Sequence, residues 1–206
     1  MKYGKYERRE ESNGFDTRWK KFQNSVMLSL HDLVYLLAGI LLALLLLFRI
    51  VIVSGPSMNN TLIDGDYLLL LSSVFYQDPK YGDIIVASKD QFKNGEPIVK
   101  RVIATEGQTV DIDFSAGVVY VDGQALDEDY ILTPTNMKEG MSFPLTVDEG
   151  CLFVMGDNRN ISKDSRNPEI GLVDTREVLG KVIFLILPGT NGGEVKADYD
   201  RIGVIR

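Results

Sequence analysis

The chain has 206 residues, enough for one domain of ordinary size plus a short extra element, and it does not favour two full domains. A single cysteine, Cys151, excludes an intramolecular disulfide, and with a single histidine, His31, it leaves no ligand set of the structural-zinc kind. The net charge is −7. It is unevenly spread, because residues 54–206 hold fourteen basic and twenty-four acidic side chains, which argues against a nucleic-acid surface.

In chain order, residues 1–27 come first, with seven Lys/Arg against four acids. From Leu33 to Phe48 the sequence reads LVYLLAGILLALLLLF without a charge, and after Arg49 it resumes as IVIV. At about 1.5 Å per residue the clean run covers about 24 Å, and carried on to Val53 it covers about 31 Å, close to the hydrocarbon thickness of a bilayer. No polar stripe interrupts it, so residues 28–53 read as a transmembrane helix, with Arg49 snorkelling to the interface. A cleaved secretory leader would end in a short polar stretch with small residues, and Arg49 with IVIV stands there instead. The basic flank precedes the helix. The positive-inside rule therefore predicts a cytoplasmic segment 1–27 and an extracytoplasmic domain 54–206.

Beyond the helix, short apolar or alternating runs separated by turn signals predict strands. These are Ile50–Val53, Tyr67–Leu71, Ile84–Ala87, Ile98–Ile103, Val110–Phe114, Val118–Val121, Leu152–Met155 and Lys181–Leu187. Asp64-Gly65 and Asp122-Gly123 are turn pairs. The expected fold class is mostly β, with antiparallel sheets and few helices. Residues 126–146 are acidic, contain two prolines and show no periodicity, which predicts an inserted loop or cap. Cys151 opens the apolar run CLFVM and reads as a buried strand residue.

Histidine-based nucleophilic catalysis has no support here, because His31 stands at the amino-terminal mouth of the apolar helix while the other polar clusters follow it. Any nucleophile must use another base. Three segments carry polar chemistry. Ser54-Gly55-Pro56-Ser57-Met58 surrounds a serine with small residues that let a substrate backbone approach. In Pro97–Ile103 two basic residues interrupt an apolar strand, and alternation sends Lys100 and Arg101 to opposite faces, so one of them is expected to face inward. A desolvated Lys100 would have its pKa lowered from about 10.4 towards about 7 or 8, at a cost of roughly 3 to 5 kcal/mol. Such an amine is neutral often enough to take a serine proton. The third segment, GDNRNISKDSR at 156–166, is a dense polar loop that can form a hydrogen-bonded shell under a site. Each segment also has a plain reading, as a turn, an edge-strand lysine and a solvated loop.

Together the three resemble the motif boxes of the type I signal peptidase family of bacterial, Gram-positive-like kind. SGPSM with Asn59-Asn60-Thr61-Leu62 resembles its serine box, Gly82-Asp83-Ile84-Ile85-Val86 the next, Lys100-Arg101-Val102-Ile103 the lysine box, and GDNRNISKDSR the last. The chain departs from the family at Asn60, where proline is usual, and at Ala104–Gln108, where a glycine and a proline-glycine-aspartate run are usual. It also carries Gly55, where some members have a serine that donates to the oxyanion.

The resemblance implies a membrane-bound serine endopeptidase that cleaves signal peptides from exported preproteins. Ser57 would be the nucleophile and Lys100 the general base, and the Ser57 backbone N–H would serve the oxyanion. Ser162 would hold the lysine, Asp164 and Arg166 would pair beneath the site, and Asp157 would shape the same loop. Val53, Met58, Ile98 and Val99 would line shallow apolar pockets for small side chains. No metal or organic cofactor is implied. The implied partners are preprotein signal peptides, the lipid bilayer and the secretion translocon. The alternatives left open are a specialised peptidase of one secretion or pilin locus and a non-catalytic, membrane-anchored assembly chaperone of the same fold.

Overall fold

A computed structural model describes residues 4–89, 92 and 95–205, with side chains described from residue 17 onward. The chain falls into two compact units, one ending at Leu46 and the other beginning at Leu47. The first is a single helix, α1 (Gly4–Leu47). Over residues 17–46 every side chain is exposed, and from Thr17 the helix is long and apolar enough to cross a membrane. An exposed apolar surface such as that of Leu33–Leu46 is what a lipid-facing helix needs. Two boundaries differ from the sequence reading. The helix runs unbroken from Gly4, so residues 4–27 are helical too, and it ends at Leu47. Hydropathy carries the helix to residue 53, while the strand expected at Ile50–Val53 is present and begins two residues earlier, formed by Phe48–Ile52. Their β-branched side chains favour extended backbone once a partner strand is available.

Among the described residues the second unit contains twelve strands: β1 (Phe48–Ile52), β2 (Tyr67–Ser72), β3 (Ile84–Ala87), β4 (Ile98–Thr105), β5 (Thr109–Asp113), β6 (Val118–Val121), β7 (Gln124–Ala125), β8 (Leu145–Thr146), β9 (Cys151–Met155), β10 (Val173–Asp174), β11 (Val178–Leu187) and β12 (Gly203–Val204). The larger sheet runs β1-β2-β11-β3-β4-β9-β10, with β12 on β11, and the smaller runs β7-β6-β5-β8. All recorded pairings are antiparallel.

The central strand β3 reads IIVA because both of its faces are covered. Ile84 and Val86 join one apolar cluster with Val53, Met58, Leu68 and Leu70, whereas Ile85 and Ala87 join another with Val102, Leu152 and Val154. A third cluster, around Val110, Val119 and Phe153, fills the space under the smaller sheet. Strands buried on both sides lose the polar alternation of a half-exposed sheet.

The outer face of the β1 end of the large sheet is different. Ile50 lies opposite Leu69 and Ile52 opposite Tyr67. Tyr67 in turn lies opposite Leu187 and Leu69 opposite Phe184, and Phe184 lies opposite Val204. Ile50 is 64% exposed and Val204 69%, with Ile52, Tyr67 and Leu187 also exposed. The result is one continuous apolar face with no protein cover among the described residues.

Residues 126–146, expected as an insertion, have a definite course. β7 and β8 stand at opposite edges of the smaller sheet, so the segment between them crosses from one edge to the other.

Candidate active site

Ser57 sits on the loop from Val53 to Asp66 that joins β1 to β2. The neck of this loop is closed by Val53 N–H to Asp66 O at 2.9 Å and Gly65 N–H to Val53 O at 2.9 Å. Inside it, the Gly55 N–H donates to Asp64 Oδ1 at 2.7 Å. Gly55 holds φ +87°, a conformation that a side chain would strain.

Lys100, on β4, is 5% exposed. Its Nζ donates to Ser57 Oγ at 2.8 Å and to Val99 O at 2.9 Å. The two side chains meet in a groove of about 640 Å³ whose lining includes Val53, Met58, Ile98 and Val99. All four of the apolar residues expected at the substrate pockets are therefore brought to the same groove. Val53 and Met58 belong to the buried core, whereas Ile98 and Val99 are half-buried. A groove floored by side chains already packed into the core is shallow. Its walls carry free strand edges as well. β1 is the terminal strand of its sheet, and β4 pairs with β9 only from Arg101 onward.

Alternation along β4 sends Arg101 away from Lys100, but only one of the two was expected to face inward, and both are buried. Arg101 is 2% exposed. A guanidinium tolerates such burial only when fully paired, and Arg101 is. Its Nε and Nη2 donate to the two oxygens of Asp157 at 2.9 and 2.7 Å. Its Nη1 donates to Gly82 O at 2.9 Å, and its Cζ lies 3.9 Å from the centre of the Tyr130 ring. The Thr61 hydroxyl also donates to Asp157. Asp157 thus does more than shape its own loop, because it ties the serine loop to the lysine strand.

Most of the remaining loop residues are buried and bonded largely among themselves. Asp164 and Arg166 pair through two bonds of 2.8 Å, with both side chains fully buried. Asp164 also accepts from the Gly156 N–H at 3.0 Å. Ser162 is buried and directs its hydroxyl to Lys163 O at 3.4 Å. Gly156 explains why this loop opens on glycine. A Cβ there would stand 2.3 Å from Ser162 Oγ and 2.4 Å from Ser57 O. The backbone of the serine loop, and the Ser162 side chain, occupy the space a side chain would need.

Sequence reasoning did not single out several residues of this shell. Asn158 donates from its N–H to Ser57 O at 3.0 Å and from Nδ2 to Pro56 O at 3.1 Å. Arg159 forks onto Glu128, with 2.9 Å at Nη1, and reaches Thr135 Oγ1 at 2.8 Å. Burial opposes the charge on Arg159, but Glu128 outweighs it and pushes the guanidinium pKa up. Burial, followed by the charge of Glu128, raises the Tyr130 phenol well above its ordinary value, so it is a neutral donor to Glu128 Oε1 at 2.9 Å. The one available signal was the excess of charged side chains in GDNRNISKDSR, since buried charges come with partners. Cys151 is half-buried on β9, and burial raises its thiol pKa.

An antiparallel β fold that presents a serine hydroxyl to a buried lysine amine in an open groove is the architecture of a serine peptidase. The profile of the family described as "Signal peptidase, peptidase S26" matches residues 27–187. The chain belongs to this family. A probable signal peptidase I-1 of Synechocystis sp. is 36% identical over 171 residues, covering 78% of this chain and 83% of that one. The signal peptidase I of Bacillus licheniformis is 37% identical over 164 residues, covering 74% and 86%. A crystal structure of a signal peptidase I from Enterococcus faecalis V583 is 33% identical, covers 51% of this chain and 97% of that one, and has a TM-score of 0.42. The chain is thus a membrane-associated serine endopeptidase of the signal peptidase I type.

Proposed function

We propose that Ser57 and Lys100 form the catalytic dyad with which this enzyme removes signal peptides from exported preproteins. The observation that carries the reading is the 2.8 Å contact between Lys100 Nζ and Ser57 Oγ at the groove. With Lys100 neutral, the serine hydroxyl turns its proton towards Nζ, and Oγ attacks the scissile carbonyl as the proton transfers. The negative charge that develops on the carbonyl oxygen is received by the Ser57 N–H, which donates to no protein acceptor among the described residues. The tetrahedral intermediate collapses, the C–N bond breaks, and the lysine ammonium gives its proton to the departing amine of the mature protein. A water molecule, deprotonated by Lys100, then attacks the ester on Ser57, the C–O bond breaks as the ammonium returns the proton to Ser57 Oγ, and the signal peptide leaves with a new carboxylate.

The preprotein segment would lie extended in the groove and hydrogen-bond the open edges of β1 and β4, as an added strand does. Val53, Met58, Ile98 and Val99 would meet the residues before the cut, and the shallow floor would favour small side chains at the first and third of them. Ser162, Asp164, Arg166 and Asp157 would be positioning residues beneath the dyad, with Ser162 steadying Lys100. The basic segment 1–27 would be cytoplasmic and the domain that follows the helix extracytoplasmic. The apolar face of β1, β2, β11 and β12 supports contact of this domain with lipid. The translocon is a further proposed partner, since its exit is where signal peptides become accessible.

The test is cleavage of a preprotein with a small-x-small site, in lipid, by wild type, Ser57→Ala and Lys100→Ala. Cleavage by wild type alone is expected. Full cleavage by either variant would overturn the dyad.

A further inference from the structure

The carboxylate of Asp66, at the foot of the serine loop, is fully buried. It accepts the Ile63 N–H at 2.9 Å and the Gly189 N–H at 2.7 Å. The rest of its charge is met from far along the chain, by Arg201, whose Nη1 and Nη2 donate to the two oxygens at 3.0 and 2.7 Å. Arg201 Nη2 also donates to the Thr61 carbonyl at 3.2 Å. One guanidinium therefore grips both the foot and the middle of the loop that carries Ser57. A planar fork of this kind fixes orientation as well as charge.

The chain around Gly189 lies directly on the same loop. A Cβ on Gly189 would stand 2.3 Å from Asp64 O and 2.5 Å from Gly65 C, and the Asn191 N–H donates to Asp64 O at 3.1 Å. The grip also continues inward. The Thr61 hydroxyl donates to Asp157, and Asp157 holds Arg101, the neighbour of Lys100 on β4. Hydrogen bonds alternating with short stretches of chain thus join the segment after β11 to the serine loop and to β4 beside Lys100.

We propose that Arg201, which lies beyond the matched region ending at residue 187, is a positioning residue for cleavage: through Asp66 and Thr61 it sets where Ser57 Oγ stands relative to Lys100 Nζ. The proposal rests on the dyad reading given above. Removing the guanidinium leaves Asp66 with backbone donors alone and frees the Thr61 carbonyl, so the loop relaxes around a buried, under-compensated charge. Catalysis depends steeply on such placement, since a displacement of about 1 Å can cost about a hundredfold in rate. Of the groove walls, Ile98 and Val99 lie on β4, outside the loop, and Val53 and Met58, which lie on it, are held in the buried core, so substrate binding is affected less.

The experiment uses the full chain in lipid and measures kcat and KM for preprotein cleavage, together with the thermal midpoint, for wild type, Arg201→Ala, Arg201→Gln and Arg201→Lys. Expected for Arg201→Ala is a fall in kcat of about ten- to a hundredfold with KM within about twofold of wild type. Partial recovery is expected in Arg201→Lys, which restores the charge without the fork. If Arg201→Ala is unfolded at the assay temperature, Arg201→Gln and Arg201→Lys decide, because both keep a donor for Thr61 O. A reduced kcat at unchanged KM in a folded variant supports the proposal. Wild-type kcat in any folded variant, or a loss that appears entirely in KM, overturns it. Ser57→Ala in the same assay separates the two claims: if that protein cleaves, it is the dyad reading that has failed.

Discussion

Arg101 and Asp157 face each other through two parallel hydrogen bonds of 2.9 and 2.7 Å, in a site where neither side chain is more than 3% exposed. Lys100 precedes Arg101 on β4, and Asn158, which follows Asp157, donates its N–H to the carbonyl of Ser57. The pair therefore joins the two strands of chain that carry Ser57 and Lys100, the residues of the proposed dyad.

Breaking this pair is expected to be costly on both counts. Asp157→Ala leaves a buried guanidinium with too few acceptors, and removing one partner of such a pair typically costs about 3–5 kcal/mol. Urea unfolding of the full chain in detergent should show that loss, with kcat falling in protein that is still folded. A stability within about 0.5 kcal/mol of wild type would mean that Arg101 finds other acceptors.

Gly156→Ala tests the close approach between the polar loop and the serine loop. The added methyl would collide with Ser57 O and Ser162 Oγ, and overpacking of this kind costs about 1–3 kcal/mol. Because one of the two atoms belongs to the nucleophile's own backbone, kcat should fall by more than the melting temperature suggests. Assaying both on one preparation checks it.

Lys100→Arg separates charge from basicity. A guanidinium remains protonated across the accessible pH range and cannot take the serine proton, so no cleavage is expected at any pH from about 6 to about 10. Wild type should lose activity as pH falls, because the ammonium form of Lys100 has no lone pair to offer, and recover it as pH rises. A rate-against-pH series for both proteins is the measurement. An active Lys100→Arg enzyme would be incompatible with lysine as the base.

The apolar sheet face predicts a difference between substrates. Leu187→Lys with Val204→Lys places two charges on a surface that the fold leaves uncovered, away from the groove lining and at little cost to the core on the other face. Cleavage of a preprotein inserted in vesicles should fall several-fold, while cleavage of a short soluble peptide should stay within about twofold of wild type. Equal effects on both substrates would argue against lipid contact by this face.

Much of this was legible in the residues themselves. The lipid-compatible helix, the period-two strands and the three polar segments can be read from local pattern, because hydropathy and turn chemistry are properties of neighbouring residues. Where the apolar helix gives way to strand was only partly legible: the pattern allowed both a helix to residue 53 and a strand from Ile50. Leu47 and Phe48 are equally apolar, and the change comes from β2, which offers Phe48–Ile52 a pairing partner. The fate of Arg101 was equally hidden. Alternation predicted one inward-facing cation on β4, and the structure buries two because Asp157 lies 56 residues away in sequence and within hydrogen-bond reach in space.

By itself, the sequence determined the class of protein, a mostly β serine peptidase with an apolar amino-terminal helix, and it supplied the motif residues proposed to carry its chemistry. Tertiary structure alone decided which of the many charged side chains are buried and with whom they pair. It brought Glu128 to Arg159, Asp157 to Arg101 and Arg201 to Asp66. The physical reason is that periodicity reports the solvent exposure of one element at a time. The partner that makes a buried charge tolerable is chosen by the packing of elements far apart along the chain.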